Sequence, residues 1–379
     1  MLRTSATSTH DGFLARNLSV VPSVKVDYVQ AETKHTLILT PVDDVEKGLR
    51  RGDVDGSQWN TRGWTMQERS LSTRLIHFCR NKIYFECRAC LKSEENEPET
   101  GRGSDPFRLW PRSFENSSDD ASKWYERWRK LVVEYSRRRL TVQSDKLTAI
   151  RSVANEMAAN VPPDSYLSAQ ATWRGNISNE LLWYVESGIG RKSKLPKSLE
   201  VRSWSWVSLD AHIGFVKGQR VGKEPAGERS ARAFQVRGCD SSGILVLSGF
   251  ITSRVEIHTG RDRNLKWTSF PYDVFDEVDN RLIAHGMLDL DNRDNLLGLH
   301  PRNKMIRYFH ISDEQHPSGL LLRRVDDEMW CRVGVATIFY TSGEMMDPTL
   351  FEGPFEREGS LYYTGYLQPG GPVDALQLC

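Results

Sequence analysis

The sequence is poor in cysteine, in long apolar runs and in charge of one sign. Six cysteines in 379 residues are too sparse for a disulfide scaffold and point to a reducing compartment. No stretch approaches the ~18 consecutive apolar residues of a membrane-spanning helix, so no membrane span is expected. The first residues, Met1 to Val24, include basic Arg3 but no apolar core, so they do not read as a secretory signal. The expected location is cytoplasmic. Lys and Arg number 51 against 50 Asp and Glu, a net charge of +1. That balance excludes a strongly basic nucleic-acid binder and an acidic tail protein, so no nucleic-acid partner is expected. G-x-S-x-G, H-E-x-x-H and G-x-G-x-x-G are also missing. Gly218-Gln-Arg-Val-Gly222-Lys223 lacks the glycine spacing of a phosphate loop and has Glu224 where a magnesium-binding hydroxyl should stand.

Aromatic bulk is plentiful. With 11 Trp, 12 Tyr and 14 Phe, the chain has apolar surface for packed cores in the two or three domains its length allows. Cys87-Arg-Ala-Cys90, with His77 and Cys79 upstream, invites a zinc reading. The spacing opposes it. Leu75–Cys79 and Ile83–Cys87 read as two strands joined by Arg80-Asn-Lys82. Pairing Cys79 with Ile83, His77 with Phe85 and Leu75 with Cys87 holds Cys79 and Cys87 roughly 13 Å apart at strand rise. No metal site is expected, and the thiols read as buried and structural.

Along the chain, residues 1–56 are weakly patterned, with strand character at 24–29 and 36–40. Residues 57–91 contain a helix start and the hairpin. Residues 92–117 are rich in Glu, Ser, Pro and Gly and read as a flexible loop. Residues 118–190 read as a helical region. Ser118 offers an N-cap, and Trp124, Trp128, Leu131, Val132 and Tyr135 recur at helical spacing. A second helix opens near Asp145, with Leu147, Ile150, Val153, Ala154 and Met157 on one face, and Pro162-Pro163 follows it. Glu180–Val185 suggests a short third helix. Residues 200–345 read as a mostly antiparallel β region, with Trp204 and Trp206 on one face of a strand and a hairpin around Asp326-Asp327. Residues 346–379 read as a tail, mostly loop, with at most a short strand at Leu361–Tyr363.

The densest chemistry lies between Ser57 and Arg69: two tryptophans, Trp59 and Trp64, then Arg62-Gly63, then Gln67-Glu68 on an incipient helix. An aromatic wall beside a carboxylate can raise its pKa by desolvation and poise it for catalysis. The structural alternative is a Trp-anchored helix with Glu68 paired to Arg62, Arg69 or Arg74.

Arg62-Gly-Trp-Thr-Met-Gln-Glu-Arg69, followed by Leu71-Ser-Thr-Arg-Leu-Ile-His-Phe78 and Ile83-Tyr-Phe-Glu-Cys87, resembles the C-terminal part of the fungal heterokaryon incompatibility (HET) domain. Tyr135–Thr141, Asp145–Ile150, Leu181–Trp183, Arg202–Ser208, Gly319–Val325 and Arg332–Val335 resemble, in order, stations of the region that usually follows it. Complete HET domains open with a Leu-Ser-Tyr-x-Trp-Gly type strand, and no such segment stands upstream of Trp59. The resemblance therefore implies a HET protein without the front half of its domain.

The family implies self/non-self recognition and programmed cell death signalling, through protein partners or self-association. The implied fold class is α+β: a remnant of a TIR-like, flavodoxin-like α/β domain, a helical middle and a mostly antiparallel β C-terminal region. Some TIR domains cleave NAD with a glutamate after a Ser-x-Trp segment. Here Ser57, Trp59 and then Glu68 stand comparably, which makes Glu68 the candidate catalytic residue and Ser57, Trp59, Arg62, Gly63, Trp64 and Gln67 its motif. NAD would be a substrate, and no cofactor is expected. With the front half missing, the expectation is a chain without catalysis by itself; the alternative is an NAD-cleaving hydrolase completed by oligomerisation or by the missing half.

Overall fold

β-Branched and aromatic runs give strands, and apolar residues three and four apart give helices, so the protein is α+β. The structure, a computed structural model, describes residues 2–3, 24–30, 33–39, 54–79, 83–87, 91–93, 121–159, 161–163, 165–186, 191–216, 234–240, 242–252, 255–259, 271–277, 282–289, 306–312, 318–326, 329–337 and 369–379. The chain divides into two compact units. The first contains residues 1–120 and 138–141, the second residues 121–137 and 142–379. Outside the described residues lie Ser118, Cys90, the Gly218–Lys223 segment, Leu361–Tyr363 and the expected 92–117 loop apart from Lys92 and Ser93.

The first unit has strands β1 (Leu2–Arg3), β2 (Val24–Gln30) and β3 (Thr33–Leu39), helix α1 (Gly63–Leu71), and strands β4 (Arg74–Phe78), β5 (Ile83–Cys87) and β6 (Leu91–Ser93). β2 and β3 form their own antiparallel hairpin. The other four strands make a sheet in the order β1-β4-β5-β6, with β1 parallel to β4 and the remaining pairs antiparallel.

The β4–β5 hairpin exists, but its register is one residue away from the expected one. Phe78, not Cys79, faces Ile83, and His77 faces Tyr84. A one-residue slip exchanges the two faces of a strand. In the observed register Glu86 shares a face with His77, and both side chains are buried. The expected register would have sent Glu86 to the opposite face, away from the groups that hold it.

The second unit opens with helices α2 (Ala121–Ser136) and α3 (Lys146–Ala158). The apolar residues read from the sequence are the ones buried on both helices. Then come β7 (Tyr166–Leu167), β8 (Thr172–Trp173), helix α4 (Ile177–Glu180), β9 (Trp183–Val185), β10 (Arg191–Lys192), β11 (Leu209–Asp210) and β12 (Ile213–Phe215).

Two expectations change here. The helix foreseen over Glu180–Val185 stops at Glu180, and Trp183–Val185 is a strand paired with β12. Trp204 and Trp206 do not share a strand. They flank a turn that runs into a 3-10 helix at Trp206–Ser208, where the Ser205 hydroxyl accepts from Val207 N at 3.3 Å. The alternating Trp and Ser serve hydrogen bonding rather than a pleat. The Trp204 indole donates to Gly243 O at 3.0 Å and Trp206 to Ala171 O at 3.0 Å. Trp183 in turn donates to Trp204 O at 2.8 Å.

The rest is sheet: β13 (Gln235–Cys239), β14 (Leu245–Thr252), β15 (Val255–Thr259), β16 (Tyr272–Asp276), β17 (Leu282–Leu288), β18 (Ile306–Ser312), β19 (Ser318–Arg324), β20 (Met329–Thr337) and β21 (Pro369–Leu378). These nine strands form one sheet, antiparallel throughout except where β21 runs parallel to β20. Because β21 pairs with both β14 and β20, the path β14–β18–β19–β20–β21 closes on itself. Closure pairs each strand of that ring with two neighbours in it, while the sheet path ends at β13 and β15.

β21 occupies part of the expected tail, where loop was foreseen. Its Pro-Gly-Gly-Pro start hides it from pattern reading. The register of its pairing with β14 shifts between Phe250 and Thr252, opposite Gly370 and Gly371, and again between Leu247 and Gly249, opposite Asp374 and Ala375. Further along, Leu376 and Leu378 are buried.

Alternation divides the sheet's side chains into two cores. Leu320 and Leu322 of β19 join Phe309, Ile311, Leu376 and Leu378 around Trp204 and Leu181. Leu321 lies on the other face with Tyr308, Ala336, Val274 and Val255. Arg332 of β20 ties the sheet to β9. Its guanidinium lies 3.4 Å from the centre of the Trp183 ring and forms a two-pronged pair with Asp289 at 2.9 and 3.0 Å. Burial pushes the Asp289 carboxyl up and the Arg332 guanidinium down, each opposed by the other's charge.

Candidate functional site

The segment that carries the candidate residues lies in the first unit and is built from a 3-10 turn at Trp59–Thr61 running into α1. Ser57 lies just before that turn, whose N-cap is Gln58. Its hydroxyl accepts from Asn60 N at 3.2 Å and donates to Val54 O at 2.6 Å. Helix α1 has no side-chain N-cap on Arg62, whose backbone is extended. Thr65 ties the first turn to the segment before it, its hydroxyl donating to Trp59 O at 2.9 Å or Arg62 O at 2.7 Å.

Arg138 reinforces this corner, reaching Thr65 Oγ1 at 2.7 Å and Asn60 Oδ1 at 2.6 Å. Gly63 allows the close approach: its N–H donates to Arg139 O at 2.8 Å, and a Cβ there would stand 2.3 Å from Leu140 Cδ2. A side chain at this place would have to displace the Leu140 side chain, the nearest backbone atom, Arg139 O, being 3.4 Å from such a Cβ.

The inward face of α1 presents Met66, Arg69 and Ser70, and the outward face presents Trp64 and Glu68. Arg69 is the hub of a buried network. Its Nε donates to both oxygens of Glu86 at 3.2 and 3.1 Å, and its Nη1 donates to Asp55 Oδ1 at 2.8 Å. His77 Nε2 lies 2.7 Å from Glu86 Oε2. A carboxylate can only accept, so this nitrogen carries the proton. Burial alone would raise the Glu86 pKa. The His77 hydrogen bond and the charge of Arg69 overcome it and lower the value to about 2.

The candidate residues therefore divide. Ser57 and Trp59 are buried, and Gly63 is sealed under Leu140. Gln67 is half-buried, with its Oε1 lacking a hydrogen-bond partner among the described residues. Arg62, Trp64 and Glu68 are exposed. Of these, the structure brings together Trp59 and Glu68, whose indole N–H and Oε2 are 3.3 Å apart. Among the described residues Glu68 forms none of the ion pairs with Arg62, Arg69 or Arg74 that its neighbourhood in sequence suggested. Arg69 is engaged by Glu86 and Asp55 instead.

Sequence reasoning missed the partners: Asp55, Asn60, Glu86 and Arg138. One signal was available, a lone carboxylate inside the apolar Ile83-Tyr-Phe strand, since a buried charge requires a counterion. Asp55 and Arg138 carry no such mark. Cys79 packs with Val54 and Tyr84. Among the described residues no group of three His, Cys, Asp or Glu could hold a metal ion, and no helix is long and apolar enough to cross a membrane. Comparison with known proteins yields no family model, curated protein or solved structure that matches the chain.

Proposed function

We propose that this chain is a HET-type protein acting in self/non-self recognition and programmed cell death signalling, in the cytoplasm, through protein partners or self-association and without catalysis of its own. One observation carries the reading. Three separated pieces of the resembling stretch, Arg69, His77 and Glu86, meet in a single buried network. A motif whose parts are 17 residues apart in sequence and still complete one another reads as one inherited unit. Of the parallel sheet that a TIR-like, flavodoxin-like origin calls for, the first unit has the pairing of β1 with β4, while β4, β5 and β6 are antiparallel. The lack of catalysis rests on Glu68, which is exposed and held by one indole.

The test is expression in fungal hyphae with death as the readout. Wild type and Glu68→Gln should kill, and Arg69→Met should not. Survival with wild type, or loss of killing in Glu68→Gln alone, would contradict the proposal.

A second reading is favoured by the outward face of α1, where Trp64 and Glu68 stand one turn apart with Trp59 bound to the carboxylate. In an NAD-cleaving enzyme Glu68 would hold the ribose hydroxyls and stabilise the oxocarbenium-like charge as nicotinamide leaves, while Trp64 stacks on a ring. Nicotinamide release by the purified chain, abolished by Glu68→Ala, would establish this reading over the first.

A further inference from the structure

The second unit contains an unusual buried nest. The rings of Trp128, Tyr166, Trp173 and Tyr125 pack on one another, with centroids 4.8 to 6.3 Å apart. Next to them Glu180, 2 % exposed, ends α4. Its Oε1 accepts from Asn176 Nδ2 at 3.2 Å. Its Oε2 is buried with no hydrogen-bond partner, and so is Arg129 Nε on α2. The Trp128 and Trp173 indoles are likewise without bonded partners. Such a concentration of orphaned polar atoms is costly, because each lost partner leaves a desolvated group behind. The rings touch one another, which argues against a bound ligand among them.

We propose that Glu180 and Arg129 form a proton-controlled latch between α4 and α2: neutral Glu180 stands apart from Arg129, and loss of its proton draws the guanidinium onto Oε2. The charges acting on the nest fit this. Arg129 is the cation that acts on Glu180, Arg151 of α3 acts on Tyr166, and the phenols of Tyr125 and Tyr166 feel the Glu180 charge. Burial dominates and raises the Glu180 pKa to about 8, against the charge of Arg129 and the Asn176 hydrogen bond. The folded chain then keeps a proton that the unfolded chain releases near 4.5. Folding must weaken about tenfold per pH unit between those values, until the latch closes.

The experiment is a pH titration of the whole chain, read by tryptophan fluorescence and by chemical-denaturation stability. Lys146, buried beside Trp206, is lowered to about 8 as well, so only the component that Glu180→Gln removes reports on the latch. Wild type should show a step near pH 8 that Glu180→Gln lacks. Arg129→Gln, which deletes the facing cation in an otherwise native chain, should move the step upward by about one pH unit, a tenfold change in proton affinity. An unchanged step in Glu180→Gln, or a midpoint unmoved in Arg129→Gln, would overturn the proposal.

Discussion

Glu86 in the first unit and Glu180 in the second are both buried, at 6 % and 2 % exposure, yet their acidities differ widely. Burial raises both. Glu86 receives a hydrogen bond from His77 and one from Arg69 Nε, shared between its two oxygens, feels the Arg69 charge, and ends at about 2. Glu180 receives one amide hydrogen bond and feels Arg129 without bonding to it, and ends at about 8. Desolvation is common to the two sites, so the partners decide the charge state. The first carboxyl is fixed as an anion and anchors a helix to a hairpin. The second is held neutral in an aromatic nest and is free to change state.

Removing the partner should make the first site resemble the second. Arg69→Met leaves the Glu86 carboxyl buried with only His77, so the first unit should lose about 3–5 kcal/mol. Amide hydrogen exchange over residues 54–87 should show the loss while the second unit keeps its protection. Equal loss in both units would break the contrast.

A smaller effect comes from acid. Because the folded pKa of Glu86 lies below its usual 4.5, the folded state binds fewer protons than the unfolded one between 4.5 and about 2. The stabilisation is full above 4.5 and disappears as the pH falls through the folded value, about 3 kcal/mol in all. Glu86→Gln should flatten that part of the stability profile. Over the range from 4.5 to 8 the sign reverses for Glu180, whose proton makes the fold less stable as the pH rises. The smallest effect belongs to the exposed carboxylate. Glu68→Gln should change stability by no more than about 0.5 kcal/mol in urea unfolding, and a larger change would mean that Glu68 shares the burden of Arg69 and Glu86.

The helices of the second unit were legible in the sequence because Trp124, Trp128, Leu131 and Tyr135 recur at the spacing of one helix face and are buried there. The β19–β20 hairpin was legible for the same kind of reason. Trp204 and Trp206 misled because alternation with serine imitates a strand, while what fixes them is indole donation to distant carbonyls. β21 was hidden by its glycines and prolines, and its partners lie far away in sequence. The candidate segment was visible as a motif, but its physical centre was not. Arg69, Glu86 and Asp55 are joined by the fold, and only the fold reveals that Arg69 turns inward while Glu68 turns out.

The most direct measurement is carbon-13 NMR of the glutamate side-chain carboxyls, titrated in the intact chain and assigned with Glu86→Gln and Glu180→Gln. The account predicts one resonance that stays ionised down to about pH 2 and another that stays protonated up to about pH 8. If both instead titrate near 4.5, the two burial environments do not differ as described and the comparison fails.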